Sequence, residues 1–132
     1  MNVTVDTNVL VRAAMRDDEK QAKAAAKLLR DARLVAVPLP CLCEFVWVLQ
    51  RVYRLRAAQI ASAIEALVGA GNVAVNRQAV ESGLAMLKAG GDFADGLIAF
   101  EGAWLGGEVF ASFDKQAIGL LEKQGVSTRL LS

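Results

Sequence analysis

Residues 2–15 read NVTVDTNVLVRAAM, and this stretch decides the fold. Asn2 to Asp6 is a short β-rich strand that ends in an acid, and Thr7 to Met15 continues at once as an apolar helix. A strand running directly into a helix is the opening unit of an alternating α/β chain. The acid at the junction, Asp6, stands where open parallel sheets collect their functional groups, outside the carboxyl ends of the strands.

Outward from that unit the alternation repeats. Asp17, Asp18 and Glu19 supply acidic caps for a second helix through about Arg30, suited to a positive helix N-terminus. Leu34 to Val37 is an apolar strand ended by a Pro38-Leu39-Pro40 turn. An apolar helix follows from Cys41 to about Tyr53, and another spans Ala57 to Val68 before Gly69-Ala70-Gly71 stops it. Val73 to Val75 is a strand and Arg77 to Lys88 a helix ended by Gly90-Gly91. Phe93 to Leu105 is helical, Val109 to Ser112 a strand, Lys115 to Lys123 a helix and Val126 to Leu130 the last strand. The pattern predicts a single α/β domain over residues 1–132, with a central parallel sheet of four to five short strands and helices on both faces.

Composition narrows the class further. Fifteen Lys and Arg against fourteen Asp and Glu leave a net charge of +1, so any electrostatic attraction for a ligand must be local. No uncharged stretch approaches the roughly 18–20 residues that a membrane-crossing helix needs. Met1 to Asp6 carries no basic segment ahead of an apolar run, so a secretory signal is not expected and a cytoplasmic location is. Cys41 and Cys43, the only cysteines, lack the second pair or histidine that a zinc site requires. A mean hydropathy of +0.36 points to apolar surface reserved for a partner or a second copy.

Three further acids lie in core-type surroundings like those of Asp6. They are Glu44 in Leu-Cys-Glu-Phe-Val-Trp (42–47), Asp95 in Gly-Asp-Phe-Ala-Asp-Gly-Leu-Ile (91–98) and Asp114 in Ala-Ser-Phe-Asp-Lys (111–115). An ionised carboxylate among apolar groups is costly without a compensating charge. With no histidine in the chain, hard divalent cations such as Mg²⁺ or Mn²⁺ are the natural partners of four acids. Each also has a plainer reading. Asp6, Asp92, Asp95 and Asp114 all suit helix N-termini, whereas the neighbours of Glu44 leave it little polar face.

In these motifs the chain resembles the PIN-domain ribonucleases, in particular the VapC-type toxins of type II toxin–antitoxin pairs. Val5-Asp6-Thr7-Asn8-Val9-Leu10 is similar to the family's opening acid motif, and Glu44 to its second acid. Asp92-Phe93-Ala94-Asp95-Gly96-Leu97-Ile98-Ala99 resembles its most distinctive block, and Phe110 to Lys115 its last. Gly96 stands where Ala is usual, at a cost in helix propensity. Ser112 replaces the more usual Thr and keeps the hydroxyl.

The resemblance implies a metal-dependent endoribonuclease in which Asp6, Asp95 and Asp114 hold Mg²⁺ or Mn²⁺, and Glu44 holds metal or orients the attacking water. Thr7, Asn8, Asp92 and Ser112 would support them, with Thr7 and Asn8 hydrogen-bonding around Asp6. It also implies an RNA substrate, a cognate antitoxin and a homodimer, for which the helices at 41–53 and 57–68 offer apolar surface. A housekeeping RNA-processing nuclease and a catalytically silent binding module share the same motifs.

Arg12, Arg16, Lys20, Lys23 and Lys27, with Arg30 on the same stripe, are the candidate RNA contacts, and Arg51, Arg54 and Arg56 form another basic group; a solvated helix face has the same pattern. Few aromatics fall on polar segments, which argues against a base-stacking platform. The residues exclude other α/β enzymes more firmly. There is no Asp-x-Asp of a haloacid-dehalogenase-like phosphatase after the first strand, no adjacent acid pair of a receiver domain, and no glycine in the first turn for a dinucleotide.

Overall fold

The computed structural model describes residues 1–132, and the chain divides into two compact units, Met1–Asn76 and Arg77–Ser132. In the first, β1 (Asn2–Thr4) leads into α1 (Thr7–Met15) and α2 (Glu19–Asp31). Then come β2 (Leu34–Ala36), α3 (Leu39–Arg51), α4 (Ala57–Val68) and β3 (Val73–Ala74). The strands form a parallel sheet in the order β1-β2-β3, with Val3 opposite Val35 and Val35 opposite Val73. Val35, on the central strand, is fully buried. Parallel neighbours require crossover connections, and here helix pairs supply them: α1 and α2, then α3 and α4.

Helix α3 shows how sequence spacing sets a buried face. Leu42, Phe45, Val46 and Leu49 recur at helical intervals and are all buried, as are Ile60 and Ile64 of α4. The α2 C-terminus is closed from a distance: the Asn72 side-chain amide donates to the Leu29 and Ala32 carbonyls at 2.8 and 2.9 Å. Carbonyls that a helix end leaves without partners are thereby satisfied.

The second unit contains α5 (Arg77–Lys88), α6 (Phe93–Trp104), β4 (Phe110–Ser112), α7 (Lys115–Lys123) and β5 (Thr128–Leu130). Strands β4 and β5 pair in parallel, Ala111 opposite Arg129, across the α7 crossover. Helices α5 and α6 pack closely through glycine. A methyl group on Gly83 would lie 2.3 Å from Leu97 Cδ1, and one on Gly96 would lie 2.3 Å from the Ser82 carbonyl oxygen.

Seven helices and five short parallel strands make this the α/β architecture expected. The strands are paired as a sheet of three and a sheet of two rather than along one central sheet. Hydrophobic pattern locates a strand but does not say which strand it pairs with. Pro38-Leu39-Pro40 also differs from expectation: α3 already begins at Leu39, with Pro40 in its first turn. Proline is tolerated there because an N–H at that position has no intrahelical acceptor. No helix is long and apolar enough to cross a membrane.

Candidate functional site

Asp6 occupies the N-cap position of α1, with the extended backbone of a cap, yet its side chain makes no capping hydrogen bond. Its carboxylate is exposed and uncommitted. Thr7, the first residue of the helix, is the one buried polar side chain at 7% exposure. It hydrogen-bonds the Cys41 thiol rather than Asp6. Asn8 is also directed elsewhere: it lines a cavity of about 280 Å³ with Val9, Arg12, Gln21 and Leu28 of α1 and α2. The expected hydrogen bonding around Asp6 is therefore absent, because the Thr7 partner is sulfur and Asn8 lies on another face.

Cys41 links Asp6 to Glu44. Burial pushes its thiol pKa up, the Thr7 hydrogen bond opposes that, and the charges of Asp6 and Glu44 raise it further. Both carboxylates are thus within electrostatic reach of one sulfur. Glu44 itself is exposed, contrary to the enclosed position that its sequence neighbours suggest. Around the helix, Leu42, Phe45, Val46 and Leu49 face inward, while Pro40, Glu44, Trp47 and Arg51 form an outer row. Trp47 is 57% exposed; sequence reading passed over it, although its i+3 spacing from Glu44 was visible.

In the second unit Asp92 caps α6, its Oδ1 accepting from the Ala94 N–H at 3.0 Å. Asp114 caps α7 more fully: Oδ1 accepts from the Gln116 and Ala117 N–H groups at 2.9 and 3.1 Å. The Ser112 hydroxyl oxygen accepts from the Asp114 N–H at 2.9 Å, which leaves its own proton free to donate. The plainer reading of Asp114 as a helix cap is correct, and it leaves Oδ2 unused. Asp114→Ala is expected to lose about 0.5–2 kcal/mol of stability, while Asp114→Asn keeps an accepting oxygen and most of that stability. Chemical denaturation of both variants measures the difference.

Asp95 lies in the first turn of α6, half-buried, with no side-chain hydrogen bond. Burial raises its pKa above the ordinary 3.8, and the charges of Asp92 and Asp114 raise it further. Asp92 and Asp114 thus lie within electrostatic reach of Asp95. None of Asp6, Glu44, Asp95 and Asp114 has a basic side chain at ion-pair distance. Neither unit by itself brings three acidic or sulfur side chains into a cation-holding group.

The raised Asp95 pKa has a consequence for stability. The folded chain retains the proton at pH values where the unfolded chain has released it. This contribution is full below pH 3.8 and is lost as pH rises through the elevated folded value. In chelator, the melting temperature of the parent relative to Asp95→Asn is expected to fall as pH rises from 4 toward 7, about the range over which carboxylates titrate. Added Mn²⁺ should reverse the fall. A difference independent of pH would contradict it.

The candidate RNA contacts divide. Arg12 is held by Asp17 at 3.4 Å, and its Nε is buried without a partner. Asp17 also accepts from the Tyr53 hydroxyl at 2.7 Å, and this bond, aided by Arg12, keeps its pKa low. Lys23 pairs with Glu19 at 3.4 Å. Arg16, Lys20 and Lys27 are exposed and have no acidic partner at ion-pair distance.

Acids thus stand at or near the N-termini of α1, α3, α6 and α7, with no basic side chain at ion-pair distance. The chain belongs to the PIN domain family, which matches residues 3–120. Proteins of that family are generally nucleases, commonly metal-dependent ribonucleases. No curated protein matches the chain.

Proposed function

We propose that the protein is a metal-dependent endoribonuclease and the VapC-type toxin of a type II toxin–antitoxin pair. Asp6, Glu44, Asp95 and Asp114 would form its acidic centre. Asp95 carries the proposal: a half-buried carboxylate, raised by burial and by two neighbouring acids, with no basic side chain beside it. The donor set is oxygen only, which suits Mg²⁺ or Mn²⁺ rather than a softer metal.

Bound by these acids, a divalent cation supplies charge neutralisation at the phosphate and a more acidic water. Asp6, Asp95 and Asp114 are assigned to hold it, Asp114 through the oxygen that its helix cap leaves free. Glu44 would hold metal or accept a proton from the attacking water. The Ser112 hydroxyl donates to water or phosphate oxygen, and Thr7 fixes the start of α1 through Cys41. Asp92 adds negative charge beside Asp95 while capping α6. A triad of the Ser-His-Asp kind is excluded by the absence of histidine.

The same reading gives the protein a cytoplasmic location, a cognate antitoxin and a homodimeric state. Helices α3 and α4 turn Leu42, Phe45, Leu49, Ile60 and Ile64 to the core. Exposed Ile98, Trp104, Leu105, Val109 and Phe113 instead offer apolar surface to a partner. Ile98 and Val109 border a cavity of about 480 Å³ beside α6 and β4.

Incubation of the purified protein with total RNA, in Mg²⁺, Mn²⁺ or chelator, tests the activity. Cleavage should require metal and should be lost in Asp6→Asn. Cleavage in chelator, or an unimpaired Asp6→Asn, would refute it. Growth arrest on induction, relieved by a co-expressed antitoxin, separates the toxin from an RNA-processing enzyme of the same fold.

A further inference from the structure

We infer that the outer row of α3 is a track for single-stranded RNA, with Trp47 stacking on a base and Arg51 contacting a phosphate. This rests on the nuclease reading and adds to it the side chains that grip the strand. Glu44, Trp47 and Arg51 stand at i, i+3 and i+7, all on the solvent side of one helix. Neighbours at these spacings lie about 5–6 Å apart between Cβ atoms. The row rises about 10 Å along the helix axis. It therefore begins at an acid of the proposed centre and leads away from it.

Each member suits a single strand. Trp47 is 57% exposed, and an indole that solvated is a large apolar surface available to a base face. Stacking on an aromatic side chain tolerates any base but needs that base unpaired. Arg51 is exposed and has no acid at ion-pair distance, so its guanidinium is available to phosphate. Arg54, equally unpaired by acid, follows three residues on. The cations thus lie at the far end of the row from Glu44, where the strand leaves the acids. A second copy laid antiparallel on this face would bury Trp47 and set Arg51 against the Glu44 of that copy, but it would leave Arg54 without an acid, whereas a phosphate backbone engages both arginines.

The full chain carrying Asp95→Asn, to prevent cleavage, and Trp104→Phe leaves Trp47 as its only tryptophan. Titration with a short oligoadenylate should quench Trp47 fluorescence to saturation, and the same strand paired with oligouridylate should not. Trp47→Phe should bind within about threefold of the parent by fluorescence anisotropy of labelled oligoadenylate. Trp47→Ala should bind about tenfold more weakly, the size of one lost base stack. Arg51→Ala should flatten the dependence of log affinity on log salt by about 0.7, one phosphate contact on a single strand.

Equal binding by Trp47→Ala, equal quenching by the duplex, or no quenching overturns the track. So does a Trp47 emission that shifts to the blue with protein concentration alone, since a second copy then covers the face. The two readings fail separately. Metal-dependent cleavage by the parent without Trp47 quenching leaves the nuclease and removes the track; quenching without cleavage does the reverse.

Discussion

An Asp95→Asn protein is expected to fold normally and to cleave RNA about 10³-fold more slowly than the parent. The size follows from the several kcal/mol that a metal contributes to transition-state charge, at about 1.4 kcal/mol per factor of ten. Asparagine keeps the volume and the carbonyl oxygen but removes the charge that, in the proposed centre, would draw a cation to the start of α6. The same loss of charge relieves the repulsion from Asp92 and Asp114. In metal-free buffer the variant should therefore melt no lower than the parent, while Mn²⁺ should raise its melting temperature by less. A general loss of folding would lower activity and stability together. Reduced cleavage with undiminished stability is the signature of a ligand, measured by initial rates and thermal melts on the same preparations. A variant that cleaves like the parent would remove Asp95 from the centre.

Local order was legible where the chain carries its own punctuation. Helices α1, α4, α5 and α7 begin and end at the expected residues. Asp114 caps one of them, and Gly69 and Gly90 follow two others. Asp18 caps α2 through the Gln21 N–H at 3.1 Å, but the adjacent Asp17 turns instead to Tyr53 and Arg12. That choice depends on a tyrosine 36 residues away, which no local pattern contains. Glu44 was misplaced for a related reason. Counting apolar neighbours along the chain encloses it, whereas counting around the helix puts it on the solvent side with Trp47. Asp6 and Asp114 show the limit of motif reading: both occupy N-caps, but only Asp114 uses its side chain as one. Strand pairing, three with two, is likewise a non-local outcome.

Gly96→Ala is expected to destabilise the protein by about 2 kcal/mol, although alanine is the better helix former. Propensity alone predicts a gain of about 1 kcal/mol. Packing reverses the sign. The added Cβ would meet the Ser82 carbonyl oxygen at 2.3 Å and the Gly83 Cα at 2.7 Å, where ordinary contact begins at 3.4 Å. These are backbone atoms of α5, so no side chain can rotate away, and the helices must separate by about 1 Å. Overpacking of this kind typically costs about 1–3 kcal/mol. For a chain of this size that is a fall in melting temperature of roughly 5–10 °C. Gly102→Ala is the control within the same helix. A Cβ there meets nothing within 4 Å, so propensity acts unopposed and stability should rise. Opposite shifts in the two variants would assign the Gly83–Gly96 approach to helix packing. Asp95 precedes Gly96 directly, so the same displacement should weaken Mn²⁺ binding in Gly96→Ala and leave it unchanged in Gly102→Ala. Equal stability gains in both would mean that α5 and α6 have room to part without cost.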